Sequence, residues 1–144
     1  MRSTRITLVA AAALALTAAC GSGAGDGREP LAKAAYSKQG AIVVDSSGHT
    51  LYVFRRDTPG SGRSECYDEC ARQWPVLAAQ LEVPVSANLT GAVGSIVRAD
   101  GSRQMTLNGW PLYRFAGDTA PGELSGHRQD GSWFAVSPAG ALLP

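Results

Sequence analysis

Charge is scarce in this chain. Of 144 residues only 17% are Asp, Glu, Lys or Arg, and 13 basic residues against 12 acidic ones leave a formal charge of +1. A nucleic-acid surface needs a basic excess, so no nucleic-acid partner is expected. Cysteine is scarce too, and three in the whole chain cannot build the framework of a disulfide-dense miniprotein. Beyond residue 25 no apolar run approaches the roughly 20 residues that a spanning helix needs. What the chain does hold is 44% hydrophobic residues, 17 Gly, 8 Pro, three Trp, four Tyr and three Phe. That is material for one globular domain rich in turns, and too apolar for a wholly disordered chain.

The N-terminus carries an address. Arg2 and Arg5 precede a stretch over residues 6–19 of Ala, Leu, Val and Ile interrupted only by Thr7 and Thr17. This is the charged region and apolar region of a signal peptide, too short for a membrane span. It ends in Ala18-Ala19-Cys20-Gly21, which resembles the lipobox of bacterial lipoproteins, although Thr17 stands where Leu is commonest. That resemblance implies acylation of Cys20, removal of residues 1–19 and a partner in the membrane itself. Processing would leave 11 basic and 12 acidic residues, so lipid rather than charge would hold the chain, and two acyl chains suffice. Gly21-Ser22-Gly23-Ala24-Gly25-Asp26-Gly27 reads as flexible tether. The expected organisation is a signal peptide over 1–19, a lipidated Cys20 and tether over 20–35, and a folded domain over 36–144.

The folded part repeats itself. Gly48, Leu51, Tyr52, Phe54, Asp57 and Thr58 recur 61 positions later as Gly109, Leu112, Tyr113, Phe115, Asp118 and Thr119. Pro59-Gly60 is answered by Pro121-Gly122, and Trp74 and Trp133 follow the two copies. Two copies imply a duplicated unit around a common core, since a solenoid needs at least three.

Local patterns predict strands at 41–44, 51–54, 95–98, 104–107, 111–115 and 132–136. Turn chemistry separates them at Asp45-Ser46-Ser47-Gly48, Asp100-Gly101, Asn108-Gly109 and Pro138-Ala139-Gly140. Alternation places Tyr52 with Phe54, and Tyr113 with Phe115, on one strand face. Ser64 is suited to cap a helix of about ten residues carrying Glu65 and Asp68 in its first turn and ending before Pro75. A weaker helical pattern runs over 31–37 after Pro30. The fold class is therefore mostly β, a small antiparallel module of two related hairpin repeats with one short helix between them.

Little in the sequence specifies chemistry. Cys66 and Cys70, one helical turn apart in an exported chain, are within disulfide reach. A structural disulfide is the simpler reading, because Glu65, Asp68 and Glu69 disfavour the thiolate that a redox-active pair needs. Zinc would require more ligands than His49 and His127 add, and calcium more oxygens than Asp57 and Asp118 provide. No Gly-x-Ser-x-Gly element is present, and Asn88-Leu89-Thr90 is a glycosylation sequon only in form. In the repeat, Tyr52, Phe54, Tyr113 and Phe115 are expected to fill the core, with Asp57 and Asp118 closing Asx turns.

Taken together, Gly48-x-x-Leu51-Tyr52-x-Phe54-x-x-Asp57, Cys66-x-x-x-Cys70, Trp74-Pro75, Arg98-x-Asp100-Gly101-Ser102-x-Gln104, the second copy from Gly109 to Asp118, and Gly131-x-Trp133 resemble a family of predicted bacterial lipoproteins. These are known as secreted repeat of unknown function and are marked by the Tyr-x-Phe-x-x-Asp motif. The resemblance spans residues 40–140 and departs from the family only in Pro75-Val76, where many members have two prolines. It implies no activity. The expectation is a non-catalytic binding or structural module without cofactors, lipid-anchored at the extracytoplasmic face of the cell membrane, with an envelope protein or ligand as partner. The alternative is an envelope redox or electron-transfer accessory using Cys66 and Cys70.

Overall fold

The computed structural model describes residues 31–80 and 88–144. The expected signal peptide and Cys20 lie outside the described residues. The chain folds as β1 (Ala32–Ser37), β2 (Gly40–Asp45), β3 (Tyr52–Phe54), α1 (Asp68–Gln73), β4 (Val93–Val97), β5 (Arg103–Leu107), β6 (Trp110–Pro111) and β7 (Trp133–Ala135), with a 3-10 turn at Gln129–Gly131 before β7. Among the described residues all strand pairing is antiparallel: β1 with β2, β3 with β7, and β4 with β5 with β6. The mostly-β class with one short helix is as the sequence predicts. No helix among the described residues is long and apolar enough to cross a membrane.

Three segments depart from expectation, of which the strand expected over 111–115 is only the two residues of β6 with isolated bridges at Tyr113. The weak helical pattern at 31–37 is strand β1, in register with β2 from Ala32 opposite Asp45 to Ser37 opposite Gly40. Ala and Lys favour helix only by tenths of a kcal/mol, whereas pairing satisfies a row of backbone groups and buries Ala32 completely. Residues 32–35, which the sequence assigns to the tether, thus lie in β1. The helix expected from Ser64 is only the six residues of α1, with Tyr67 as an extended N-cap that makes no side-chain cap bond. Ser64 is drawn away to a buried phenol described below. At the other end the expectation holds: Trp74 leaves helical geometry before Pro75.

The turns follow their chemistry. Asn108 and Gly109 both take positive φ, 51° and 82°, as a tight hairpin turn requires. Gly48 (φ 90°) faces Pro121 so closely that an added Cβ would stand 3.0 Å from the proline Cβ. Its carbonyl accepts the N–H of Gly122 at 3.0 Å, and reciprocally the N–H of Gly60 bonds the carbonyl of Gly109 at 3.0 Å. Each copy's Pro-Gly thus rests on the glycine that opens the other copy.

That reciprocity organises the fold. Tyr52 and Tyr113 exchange both backbone hydrogen bonds, at 2.8 and 2.9 Å, joining the two copies through the same residue of each. Each copy's motif strand then pairs with the other copy's trailing segment: β3 with β7, which carries Trp133, and Tyr113 with Val76, two residues after Trp74. The β1–β2 and β4–β5–β6 sheets each belong to one copy, whereas the β3–β7 sheet is shared between the two. β3 is buried on both faces, so alternation sorts its side chains into two cores. Leu51 and Val53 enter an aliphatic cluster with Val43, Leu77, Met105, Leu107, Leu112 and Val136. Tyr52 and Phe54 enter a second cluster with Trp74, Tyr113, Trp133 and Cys66.

Candidate functional site

The repeated motif lies inside the second cluster. Tyr52 and Tyr113 are fully buried, and Phe54, Asp57 and Asp118 nearly so, while Phe115 is half-buried. The Tyr52 hydroxyl donates to Asp118 Oδ2 at 2.6 Å, and the Tyr113 hydroxyl to Asp57 Oδ2 at 2.6 Å. The tyrosine of one copy is therefore held by the aspartate of the other. The second carboxylate oxygens accept backbone N–H groups further along their own loops, Asp57 Oδ1 from Glu65 at 2.7 Å and Asp118 Oδ1 from Ser125 at 3.0 Å. The Asx turns expected at Asp57 and Asp118 are thus replaced by longer closures, because each carboxylate is turned inward to a buried phenol whose hydroxyl needs a partner.

The electrostatics follow from burial. Loss of solvent pushes both phenols well above the ordinary tyrosine value of about 10, and the adjacent carboxylates raise them further. Burial also raises the Asp57 carboxyl, against the lowering effect of bonds from Tyr113 and the Glu65 N–H.

The aromatic rings form a continuous column. Trp74 and Trp133 stack at 3.7 Å between centroids with planes 4° apart, Phe54 lies on Trp133 at 4.3 Å, and Phe115 lies on Trp74 at 4.5 Å. Tyr52 meets Trp74 edge-on at 5.5 Å, and Tyr113 meets Trp133 edge-on at 5.1 Å. Such contacts add to area burial.

Cys66 and Cys70 are bonded to each other, with α-carbons 5.3 Å apart. Cys66 precedes α1 and only Cys70 lies within it, so the pair closes the helix onto the preceding loop and does not span a helical turn. Cys66 is fully buried. Its carbonyl accepts Arg98 Nη2 at 2.6 Å, and its N–H donates to Ser64 Oγ, which sits 2.7 Å from the Tyr113 hydroxyl.

Some of this network is not evident from the sequence. Arg98 is buried and donates through Nη1 to Gln104 Oε1 at 2.7 Å, and Gln104 Nε2 donates to the Leu112 carbonyl. The signal available was their place in the Arg-x-Asp-Gly-Ser-x-Gln stretch. Asp45 is buried, accepts the N–H groups of Ser47 and His49, and pairs with Arg114 Nε at 2.6 Å. Nothing local signals that last pair, since 69 positions separate the partners. His49 lies beside Asp45, whereas His127 binds the Ala135 N–H and lies near the carbonyl of Pro144. Among the described residues no group of three or more His, Cys, Asp or Glu is placed to hold a metal ion.

Two surface clefts flank the motif loops at corresponding places in the two copies. One, of about 700 Å³, lies between the β1–β2 turn, with Tyr36 and Lys38, and Gly122 and Leu124. The other, of about 480 Å³, lies between Val97 and Arg98 at the end of β4 and residues 62–65, with Tyr67. Tyr36 and Val97 are the most exposed large apolar side chains described, at 92% and 56%.

No curated protein and no solved structure matches the chain. The family described as secreted repeat of unknown function matches twice, over residues 33–78 and 94–137. Each match covers one copy of the duplication, from its first hairpin to its tryptophan segment. The chain belongs to this family of secreted repeats.

Proposed function

We propose that the protein is a lipid-anchored, non-catalytic module of the cell envelope. Acylated Cys20 holds it at the extracytoplasmic face, and the clefts beside the motif loops engage an envelope partner. The observation that carries this reading is the run from Arg2 to Gly21, a charged start, a short apolar stretch and Ala-Ala-Cys-Gly. Membership of a family of secreted repeats agrees with an extracytoplasmic location. The absence of a proposed catalytic role rests on how the motif is used, because Tyr52, Asp57, Tyr113 and Asp118 are buried and committed to one another.

Substituting Cys20→Ser tests the anchor. The changed chain is expected to leave the membrane fraction while remaining folded, read by cell fractionation and a melting curve. Retention in membranes after a high-salt wash would overturn the reading. The rival, a thiol redox accessory, has less support because Cys66 is enclosed and its carbonyl is held by Arg98. A Cys66/Cys70 potential below about −300 mV is expected of a structural disulfide, and one near those of thiol oxidoreductases would favour the rival.

A further inference from the structure

The aromatic cluster contains more than a core requires. Phenylalanine at 52 and 113 would fill nearly the same volume without burying hydroxyls and carboxylates, which need compensating bonds. Instead each fully buried phenol donates at 2.6 Å to a carboxylate, Tyr52 to Asp118 and Tyr113 to Asp57. Each phenol also stands edge-on to one of two indoles that stack at 3.7 Å and within 4° of parallel.

This combination has a redox meaning. A phenol gives up an electron readily only when its proton leaves with it, and a buried phenol has no bulk water to take that proton. Here a carboxylate oxygen is placed to accept it. Burial raises the Asp57 carboxyl, which makes that carboxylate a better proton acceptor. Indoles are the other readily oxidised side chains, and two stacked face to face share a positive charge between them. The column also has a short route outward. Phe115 is half-buried, lines a shallow cleft of about 220 Å³ with His49 and Arg114, and lies 4.5 Å from Trp74.

We propose that this cluster is a one-electron relay, in which Trp74 and Trp133 pass charge from an outer-sphere oxidant at the Phe115 cleft to Tyr52 and Tyr113, with Asp118 and Asp57 as proton acceptors. The oxidant is a small radical or an oxidised metal complex. It takes one electron from the indole pair and is itself reduced by one. Tyr52 refills the indole with one electron as its O–H bond breaks, and the proton moves along the existing hydrogen bond to Asp118 Oδ2. The products are the reduced oxidant, a neutral tyrosyl radical and a protonated Asp118. The same step runs between Tyr113 and Asp57. It uses neither the cysteines nor the anchor, so its test and the test of the anchor can fail separately.

The test is flash oxidation of the full chain by photogenerated tris-bipyridyl ruthenium(III), with freeze-trapping and electron paramagnetic resonance. Tyr36 and Tyr67 are exposed at 92% and 39% and would react by themselves, so Tyr36→Phe and Tyr67→Phe are combined as the parent, with folding unaffected. A neutral tyrosyl signal is expected to persist in this parent. Adding Asp57→Asn and Asp118→Asn keeps an acceptor oxygen but removes the bases, and should abolish the tyrosyl signal and leave a tryptophan radical. Loss of the tyrosyl signal in the parent, or an undiminished tyrosyl signal in the folded Asn variant, would overturn the relay. If the Asn variant does not fold, the parent alone decides.

Discussion

Tyr52 and Tyr113 occupy equivalent places, yet the loops that receive their phenols differ. Around Tyr113 the loop carries Ser64, whose Oγ lies 2.7 Å from the hydroxyl, and the Cys66–Cys70 disulfide that ties this loop to α1. Around Tyr52 the corresponding partner is a backbone N–H, that of Gly126 at 3.3 Å, and no disulfide closes the loop. There the chain turns through Arg128 and Asp130 at positive φ, and Glu123 caps the N–H groups of Thr119 and Ala120. Both copies keep the bond from tyrosine to the opposite copy's aspartate, which joins the copies, and the edge-on contact of each tyrosine with its own copy's tryptophan. What diverged lies in the loops, where one copy relies on a covalent bond and the other on backbone geometry. The difference between the copies is thus confined to how each loop around its phenol is held.

The largest effect should come from removing either ring. Tyr52→Ala and Tyr113→Ala should each destabilise by about 3–5 kcal/mol, the range for truncating a buried aromatic, read as a lowered Tm. Near-equal losses are expected because both rings join the copies, and a silent substitution at either would break the equivalence. Removing only the hydroxyls sharpens the comparison. Tyr52→Phe leaves Asp118 Oδ2 without its donor, and Tyr113→Phe strands Asp57 and Ser64 together, so losses of about 1–3 kcal/mol with the Tyr113 change the larger are expected in urea titrations.

Alkaline pH probes both phenols in the intact chain. Their folded values are raised above the unfolded value of about 10. Their stabilising contribution is therefore whole below pH about 10 and lost as pH rises from there toward the folded values, since only the unfolded chain ionises them. The absorbance change of two phenolates should coincide with loss of the folded signal. Ionisation of both well before unfolding would contradict their burial.

The disulfide belongs to one copy alone. Replacing Cys66 and Cys70 with Ser should cost about 2 kcal/mol, the low end for so short a closed loop. Hydrogen exchange should rise in α1 and residues 57–67 while β7 stays protected. Smallest of all, Tyr36→Ala at the exposed tip of the first hairpin should shift stability by less than about 0.5 kcal/mol, which calorimetry would register as an unchanged Tm.

Much of this protein was legible in one dimension. The 61-residue repeat shows in the spacing itself, and the hairpin turns at Asn108-Gly109 and Asp100-Gly101, the shared strand face of Tyr52 with Phe54 and the Cys66–Cys70 pairing depend on neighbours a few residues apart. The helical pattern over 31–37 misled because propensity is weak beside an available partner strand, and Ser64 misled because a serine suited to cap a helix was needed more by a buried phenol. Tertiary structure alone decided that β3 pairs with β7, that Tyr52 answers to Asp118 and Tyr113 to Asp57, and that Asp45 meets Arg114. A repeat in sequence says that two halves are alike, and an isolated copy of the pattern fits equally well closed on itself or exchanged with its twin. Only the joint burial of both phenols and both indoles in one core selects the exchanged arrangement, because there each hydroxyl reaches a carboxylate and each ring a neighbour.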